Sequence, residues 1–244
     1  MAAARESTPI QWRSSTVQVV LASSLLAPLG VPLLSPALPV IRDAFAISDT
    51  EVSLLVSGYF VAGIVLSPLI GMVEDRVGRR RVLVTSLFVF ALSGSAIVFV
   101  PDFTTLLAIR LLQGIAAAGI FITTVTIISE TFEDVQRNTV LGINTATLSI
   151  AAAVYPVLGG VLAGIAWNAP FLMYLAGLPV GLFALCALED PPNAQKTRGI
   201  AYLREVIDIL ETGDTLALYT ATLLAEVLMF GAIITTLPLF LTES

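Results

Sequence analysis

NTVLGINTATLSIAAAVYPVLGGVLAGIAWNAPFLMYLAGLPVGLFALCAL, residues Asn138 to Leu188, runs for 51 residues without a charged side chain. As one helix at ~1.5 Å per residue it would be more than twice as long as the ~30 Å hydrocarbon layer of a bilayer is thick. It must therefore fold back once. Gly164, Asn168 and Pro170 mark the reversal, because glycine and proline favour a turn and proline suits the first turn of the helix that follows. Two membrane-crossing helices joined in one stretch set the fold class as an all-α membrane protein.

The rest of the chain repeats the pattern. Ser14 to Ile41, Val52 to Val73 and Val82 to Pro101 are also uncharged, and two further runs are each broken by one charge, Arg110 and Glu226. A crossing needs about 20 residues, so each run is long enough. The pattern predicts seven helices, roughly Thr16 to Ile41, Val52 to Met72, Val82 to Val100, Thr104 to Ile128, Thr139 to Gly164, Phe171 to Leu188 and Leu216 to Leu241. The expected organisation is a tail over residues 1–15, a six-helix transmembrane bundle over 16–188, a linker over 189–214, and one additional transmembrane helix within 215–244 that opens an incomplete second bundle. A cleaved signal peptide does not fit the first run, which is long, proline-rich and followed by more spans.

Composition agrees. The 244 residues are 57% hydrophobic and 12% charged, with a mean hydropathy of +0.93, which excludes a water-soluble globular domain. The net charge of -6 gives no case for nucleic acid. Of the twelve basic residues, ten fall on one side of this topology (Arg5, Arg13, Arg76, Arg79, Arg80, Arg81, Arg137, Lys196, Arg198, Arg204), Arg42 falls on the other, and Arg110 lies within a span. The positive-inside rule then makes the N-terminus cytoplasmic in a multi-pass protein of the cell membrane. In the linker, Ile200, Leu203, Val206, Ile207 and Leu210 recur at helical spacing opposite Arg204, Glu205, Asp208 and Glu211. That pattern suits a helix on the membrane surface or a solvated linker helix.

The chain has no histidine and a single cysteine, Cys186. Zinc sites built on histidine and Ser-His-Asp chemistry are excluded, no phosphate-binding G-x-x-x-x-G-K-[ST] loop is present, and neither an enzyme nor a cofactor or metal site is expected. Small residues at four-residue spacing mark close helix packing on two faces: Gly63, Ser67 and Gly71, and Ala152, Pro156, Gly160 and Gly164. Four prolines, Pro28, Pro32, Pro36 and Pro39, are too many for a straight first helix.

Between the second and third expected helices stands Gly71-Met-Val-Glu-Asp75-Arg76-Val-Gly78-Arg79-Arg80-Arg81. Its arginines anchor the turn to anionic headgroups, and Asp75 among them is ionised and salt-bridged. The segment resembles the loop signature of the major facilitator superfamily, G-x-x-x-D-[RK]-x-G-[RK]-[RK], at every fixed position. Arg110-Leu-Leu-Gln113-Gly114 is similar to that family's R-x-x-Q-G in the fourth helix, Leu38-Pro39 closes the first helix as in the family, and Trp167-Asn168-Ala169-Pro170-Phe171 resembles its W-R-x-x-F with Asn168 in place of arginine. The fifth-helix antiporter signature G-x-x-x-G-P-x-x-G-G is matched at Pro156, Gly159 and Gly160, with Ala151 and Tyr155 in place of glycines.

This resemblance implies a secondary active transporter whose partners are membrane lipid, a small-molecule substrate and protons, with proton-coupled efflux of apolar or amphipathic compounds expected and a nutrient symporter as the alternative. It implies a conformational latch of Gly71, Asp75, Arg76, Gly78, Arg79 and Arg80, with Asp75 meeting the N-terminal end of a helix in the other half. Two six-helix halves around a midplane site are the family's plan. A missing C-terminal half is therefore an expected partner, and without it the chain is expected to insert but not transport.

A charge at mid-span costs ~2.5 to 3.5 kcal/mol on insertion scales, so each invites a function. Arg110 is open to two roles, communicating with the proton site as the resemblance implies or reaching outward to backbone carbonyls. Glu226 is the candidate proton or cation site, since desolvation of a mid-membrane carboxyl favours its neutral form; it also fits an acid paired within the second half. Ser23, Ser24, Thr123, Thr124, Asn144 and Tyr155 are candidates to line a cavity or to bond their own helices.

Overall fold

The structure, a computed structural model, describes residues 10–189 and four later positions, Ala217, Thr220, Ala221 and Leu224. Helices α1 (Ser15–Leu26), α2 (Leu38–Phe45), α3 (Asp49–Val77), α4 (Arg79–Ala96), α5 (Phe103–Thr131), α6 (Asp134–Ala163) and α7 (Gly177–Ala187) follow one another. A 3₁₀ turn extends α4 through Phe99, and another, Ala169–Ala176, leads into α7. With these turns counted, five helical segments among the described residues are long and apolar enough to cross a membrane, and none of the described elements is a strand.

The first expected helix, Thr16 to Ile41, is not one helix. It is broken into α1, two 3₁₀ turns (Ala27–Leu29 and Ser35–Ala37) and α2, so that only a shorter apolar piece, Ser15–Leu29, forms there. The prolines at 28, 32, 36 and 39 cause this: each lacks the N–H that would bond the carbonyl four residues earlier, and each ring crowds that carbonyl.

Elsewhere the helices run past the uncharged stretches, because the charges flanking them are caps. Ser48 and Glu51 form a capping box on α3, Glu51 N–H donating to Ser48 Oγ (3.2 Å) and Ser48 N–H to Glu51 Oε2 (2.8 Å). Asp102 caps α5 by accepting from Thr105 N–H at 2.9 Å. The 29 residues of α3 reach ~43 Å, which places both charged ends outside a ~30 Å hydrocarbon layer. The reversal between α6 and α7 falls where glycine and proline predict it, with Gly164 closing α6 and Pro170 in the first turn beyond Asn168.

Helices α4 and α5 form the centre of the bundle, with α3 packed along α5 and α7 along α4. Leu83, Leu87 and Phe90 meet Leu106, Ile120 and Phe171 in a shared core, and Phe90 stands edge-on to Tyr174 at 5.3 Å. By contrast α3 and α6 leave broad apolar faces uncovered, Ile64 and Val65 on one and Val157 and Val161 on the other. In a bilayer such faces meet lipid or further helices rather than water.

The chain divides into two units, Met1–Gln195 and Lys196–Ser244. In the second, the four described positions are helical and exposed, and their spacing puts them on one helix face. The linker pattern between Ile200 and Leu210 and the candidate Glu226 lie outside the described residues.

Candidate functional site

The signature expected as a loop is mostly helix. Gly71 to Val77 complete α3, and the turn shrinks to Gly78, whose φ of 96° and ψ of 149° suit a residue without a Cβ. With α4 starting on the next residue, Arg79 is folded back beneath the end of α3. Its Nη2 donates to Asp75 Oδ1 (2.9 Å) and to Glu130 Oε1 (2.8 Å), its Nε to Glu130 Oε2 (3.1 Å) and its Nη1 to the Glu74 carbonyl (3.1 Å). The two bonds to Glu130 make a bidentate pair, the geometry that a guanidinium fork favours.

Asp75 is therefore paired within its own bundle. Three carboxylates surround one guanidinium, for Glu74 Oε1 stands 4.0 Å from Arg79 Nε and accepts no hydrogen bond among the described residues. Glu130 and Glu74 are the members of this cluster that the sequence did not single out. Because α3 and α5 run parallel, the end of α5 comes to the same side as the signature, which neither stretch alone reveals. Arg76 is exposed, and Arg80 Nη2 donates to the Leu185 carbonyl at 2.5 Å, tying the turn to α7. Gly71 packs against nothing within 4 Å of where a Cβ would lie.

The second site is Arg110, which is 0% exposed. It does not reach outward. Nη1 donates to Gln113 Oε1 (2.6 Å) and to Tyr174 Oη (3.4 Å), Nη2 to the Gly30 carbonyl (2.7 Å), and Nε to the Leu55 carbonyl (3.3 Å), with Cζ 4.6 Å above the Tyr59 ring. Tyr174 in turn donates to the Leu29 carbonyl at 2.8 Å. No carboxylate pairs with Arg110 among the described residues. A buried cation is tolerable there because carbonyl dipoles, an amide and an aromatic face replace its water.

Gly114 lets this assembly close: a Cβ on it would lie 2.1 Å from the Tyr59 carbonyl of α3. Gly63 faces it across the same seam, where an added Cβ would lie 3.0 Å from the Gly114 carbonyl, and it is the one glycine of the expected stripe on α3 that packs this way. On α6 the close approach is made by Gly159, whose Cβ would meet the Leu33 carbonyl at 1.9 Å, while a Cβ on Gly160 would lie 3.7 Å from Pro36, ordinary contact. Pro156 stands inside α6, and Tyr155 donates to the Leu25 carbonyl at 2.7 Å. Ser23, Ser24, Thr123, Thr124 and Asn144 are buried rather than open to a cavity, and Ser24 bonds both Asn144 Oδ1 and the Val20 carbonyl. Cys186 is a free, exposed thiol.

Beside the Arg110 assembly, α3, α5 and Ala27, in the turn just past α1, line an open hollow of about 440 Å³ that also holds Tyr59, Phe60, Ile64, Ser67 and Phe121. Its side-chain polarity is limited to the hydroxyls of Tyr59 and Ser67, and Ser67 spends its proton on the Ile64 carbonyl (2.8 Å).

Compared with known proteins, residues 20–244 match the family model described as Major Facilitator Superfamily. The chain is 30% identical to the uncharacterised MFS-type transporter YwoD of Bacillus subtilis, over 81% of this chain and 44% of that protein. It is 27% identical to multidrug resistance protein 1 of the same organism, over 77% of this chain and 49% of that one. The chain thus spans about half the length of these curated relatives. Among solved structures, the human organic anion transporter MFSD10 superposes with a TM-score of 0.65 at 22% identity, covering 77% of this chain and 50% of that one.

Proposed function

This chain belongs to the Major Facilitator Superfamily, and from that premise we propose that it serves secondary active transport, exporting small apolar or amphipathic compounds in exchange for protons. The observation that carries the substrate class is the hollow between α3 and α5, where Tyr59, Phe60 and Phe121 offer aromatic surface and only two hydroxyls. Apolar walls with few polar groups bind by area and shape. A polar solute taken up by symport would need hydrogen-bonding side chains that this hollow lacks, which disfavours the nutrient alternative. A named multidrug resistance protein among the relatives points the same way.

In this reading the N-terminus is cytoplasmic in the plasma membrane, and a second bundle completes the substrate path. Asp75 and Arg79 hold the cytoplasmic end of α3, and Arg110 fixes the other end through the Leu55 carbonyl and the Tyr59 ring. Glu226 is the proton or cation site. The chain joined to a second bundle and reconstituted into liposomes under an imposed pH gradient should accumulate amphipathic dyes above protein-free liposomes, and Phe121→Ala should weaken uptake while Glu226→Gln removes its pH dependence. Accumulation equal to that of protein-free liposomes would overturn the proposal.

A further inference from the structure

A different hollow, of about 390 Å³, opens between α3, α4 and α5, with Leu69, Val73 and Val77 on one wall, Thr85 and Val89 on another, and Leu112 behind. It begins at Arg81, in the first turn of α4, and its lining extends from there along α3 to Leu66 and along α4 to Val89. At ~1.5 Å per residue these walls are ~16 and ~12 Å long, about half of the ~30 Å hydrocarbon layer. The hollow is thus one leaflet deep and starts at the arginine-rich face.

Arg81 sets it apart from a bare apolar groove. Unlike Arg79, which three carboxylates surround, exposed Arg81 has no ion pair and no hydrogen bond among the described residues. It also stands one position beyond the family signature, so neither the latch nor the Arg110 assembly uses it. Arg76, likewise exposed and without an ion pair among the described residues, adds positive charge at the end of α3. An apolar slot one leaflet deep, headed by unneutralised guanidinium groups at the interface, matches an acyl chain joined to an anionic phosphate.

We propose that this groove holds an anionic phospholipid of the arginine-rich leaflet, one acyl chain lying along α3 and α4 and its phosphate on Arg81. The site depends on the membrane placement of α3 to α5 and not on the substrate proposed above, so either can fail alone.

The test is native mass spectrometry of the purified 244-residue chain with phosphatidylglycerol or phosphatidylcholine of matched acyl chains. One arginine at a charged membrane surface favours the anionic lipid by about five-fold. The unsubstituted chain should retain one phosphatidylglycerol over phosphatidylcholine by that factor, Arg81→Lys should keep most of the preference, and Arg81→Gln should bring it near parity. Thr85→Trp, which fills the slot and leaves the charge, should lose both lipids. Equal retention of the two lipids by the unsubstituted chain, an unchanged preference in Arg81→Gln, or full retention in Thr85→Trp would each overturn the proposal. If Arg81→Gln does not insert, the Thr85→Trp result decides it.

Discussion

Replacing Arg79 with methionine tests whether the carboxylate cluster is what fixes the ends of α3, α4 and α5 together. The substitution keeps an unbranched apolar stem and removes the one cation that pairs with Glu74, Asp75 and Glu130 among the described residues. Side-chain exposure is 5% for Arg79 and 3% for Glu74, but about a fifth for Asp75 and Glu130 (20% and 19%). Removing one partner of a buried pair costs ~3–5 kcal/mol because the other charge is left desolvated. Since two of the acids here reach water, the lower end, ~3 kcal/mol, is expected. Glu130→Gln should cost less, ~1–2 kcal/mol, because Arg79 keeps Asp75 and the Glu74 carbonyl. Combining the two changes should destabilise by less than their sum, as residues sharing one network do. Reversible unfolding in sodium dodecyl sulfate, followed by fluorescence of Trp167 where it packs on Phe45 and Phe171, measures all three. An Arg79→Met chain within ~0.5 kcal/mol of the unsubstituted one, the scatter of an ordinary surface substitution, would refute the reasoning and mean that the acids are neutral or hydrated.

Gly159→Val should loosen α6 from the broken first passage, since its Cβ would lie 1.9 Å from the Leu33 carbonyl and backbone cannot yield as a side chain can; overpacking of this kind costs ~1–3 kcal/mol, checked in the same unfolding assay. Tyr174→Phe removes the donor to the Leu29 carbonyl and should cost ~1–3 kcal/mol, the penalty of an unsatisfied buried acceptor, with Tyr174→Trp failing to restore it. Asp102 accepts from Thr105 N–H and from its hydroxyl, which hold its carboxyl below the ordinary value of 3.8. Its cap is therefore complete above that value and is lost as pH falls through the lower folded one; hydrogen exchange at the start of α5 should rise there, and Asp102→Asn should abolish that rise.

Much of the architecture was legible because a bilayer allows few lengths. Runs of uncharged residues place α3 to α7 to within a few residues, and the Asn138–Leu188 run requires its own reversal. The errors at helix ends share one cause: an uncharged run stops at the first charge, whereas a helix continues through Asp49, Glu51 and Asp134, which favour its N-terminal end. At the site, motif spacing identifies Asp75 and Arg79 but not Glu130, because 51 residues separate it from Arg79 and only the parallel course of α3 and α5 joins them. The same blindness made a helix end look like a loop, since the turn needs only Gly78.

Arg110 and the prolines show why two features, each unfavourable when taken alone, belong to one design. A buried guanidinium brings five donors and no acceptor, and the one acid that interrupts an expected span, Glu226, lies far along the chain. Four prolines in one passage create the opposite imbalance, carbonyls deprived of their helical N–H partners. Ending α1 at Leu26 frees carbonyls beyond those opposite the prolines themselves: those of Leu29 and Gly30, in the broken stretch between Pro28 and Pro32, accept from Tyr174 and Arg110, as the Leu25 carbonyl accepts from Tyr155 of α6. The broken passage is thus held by side chains of three other helical segments rather than by its own ladder. A straight first helix would withdraw those acceptors and leave Arg110 with a buried charge and too few partners. Restoring the ladder by Pro28→Ala and Pro32→Ala together should therefore destabilise the bundle even though each change raises helix propensity; greater stability in the double variant would show that Arg110 does not depend on the break.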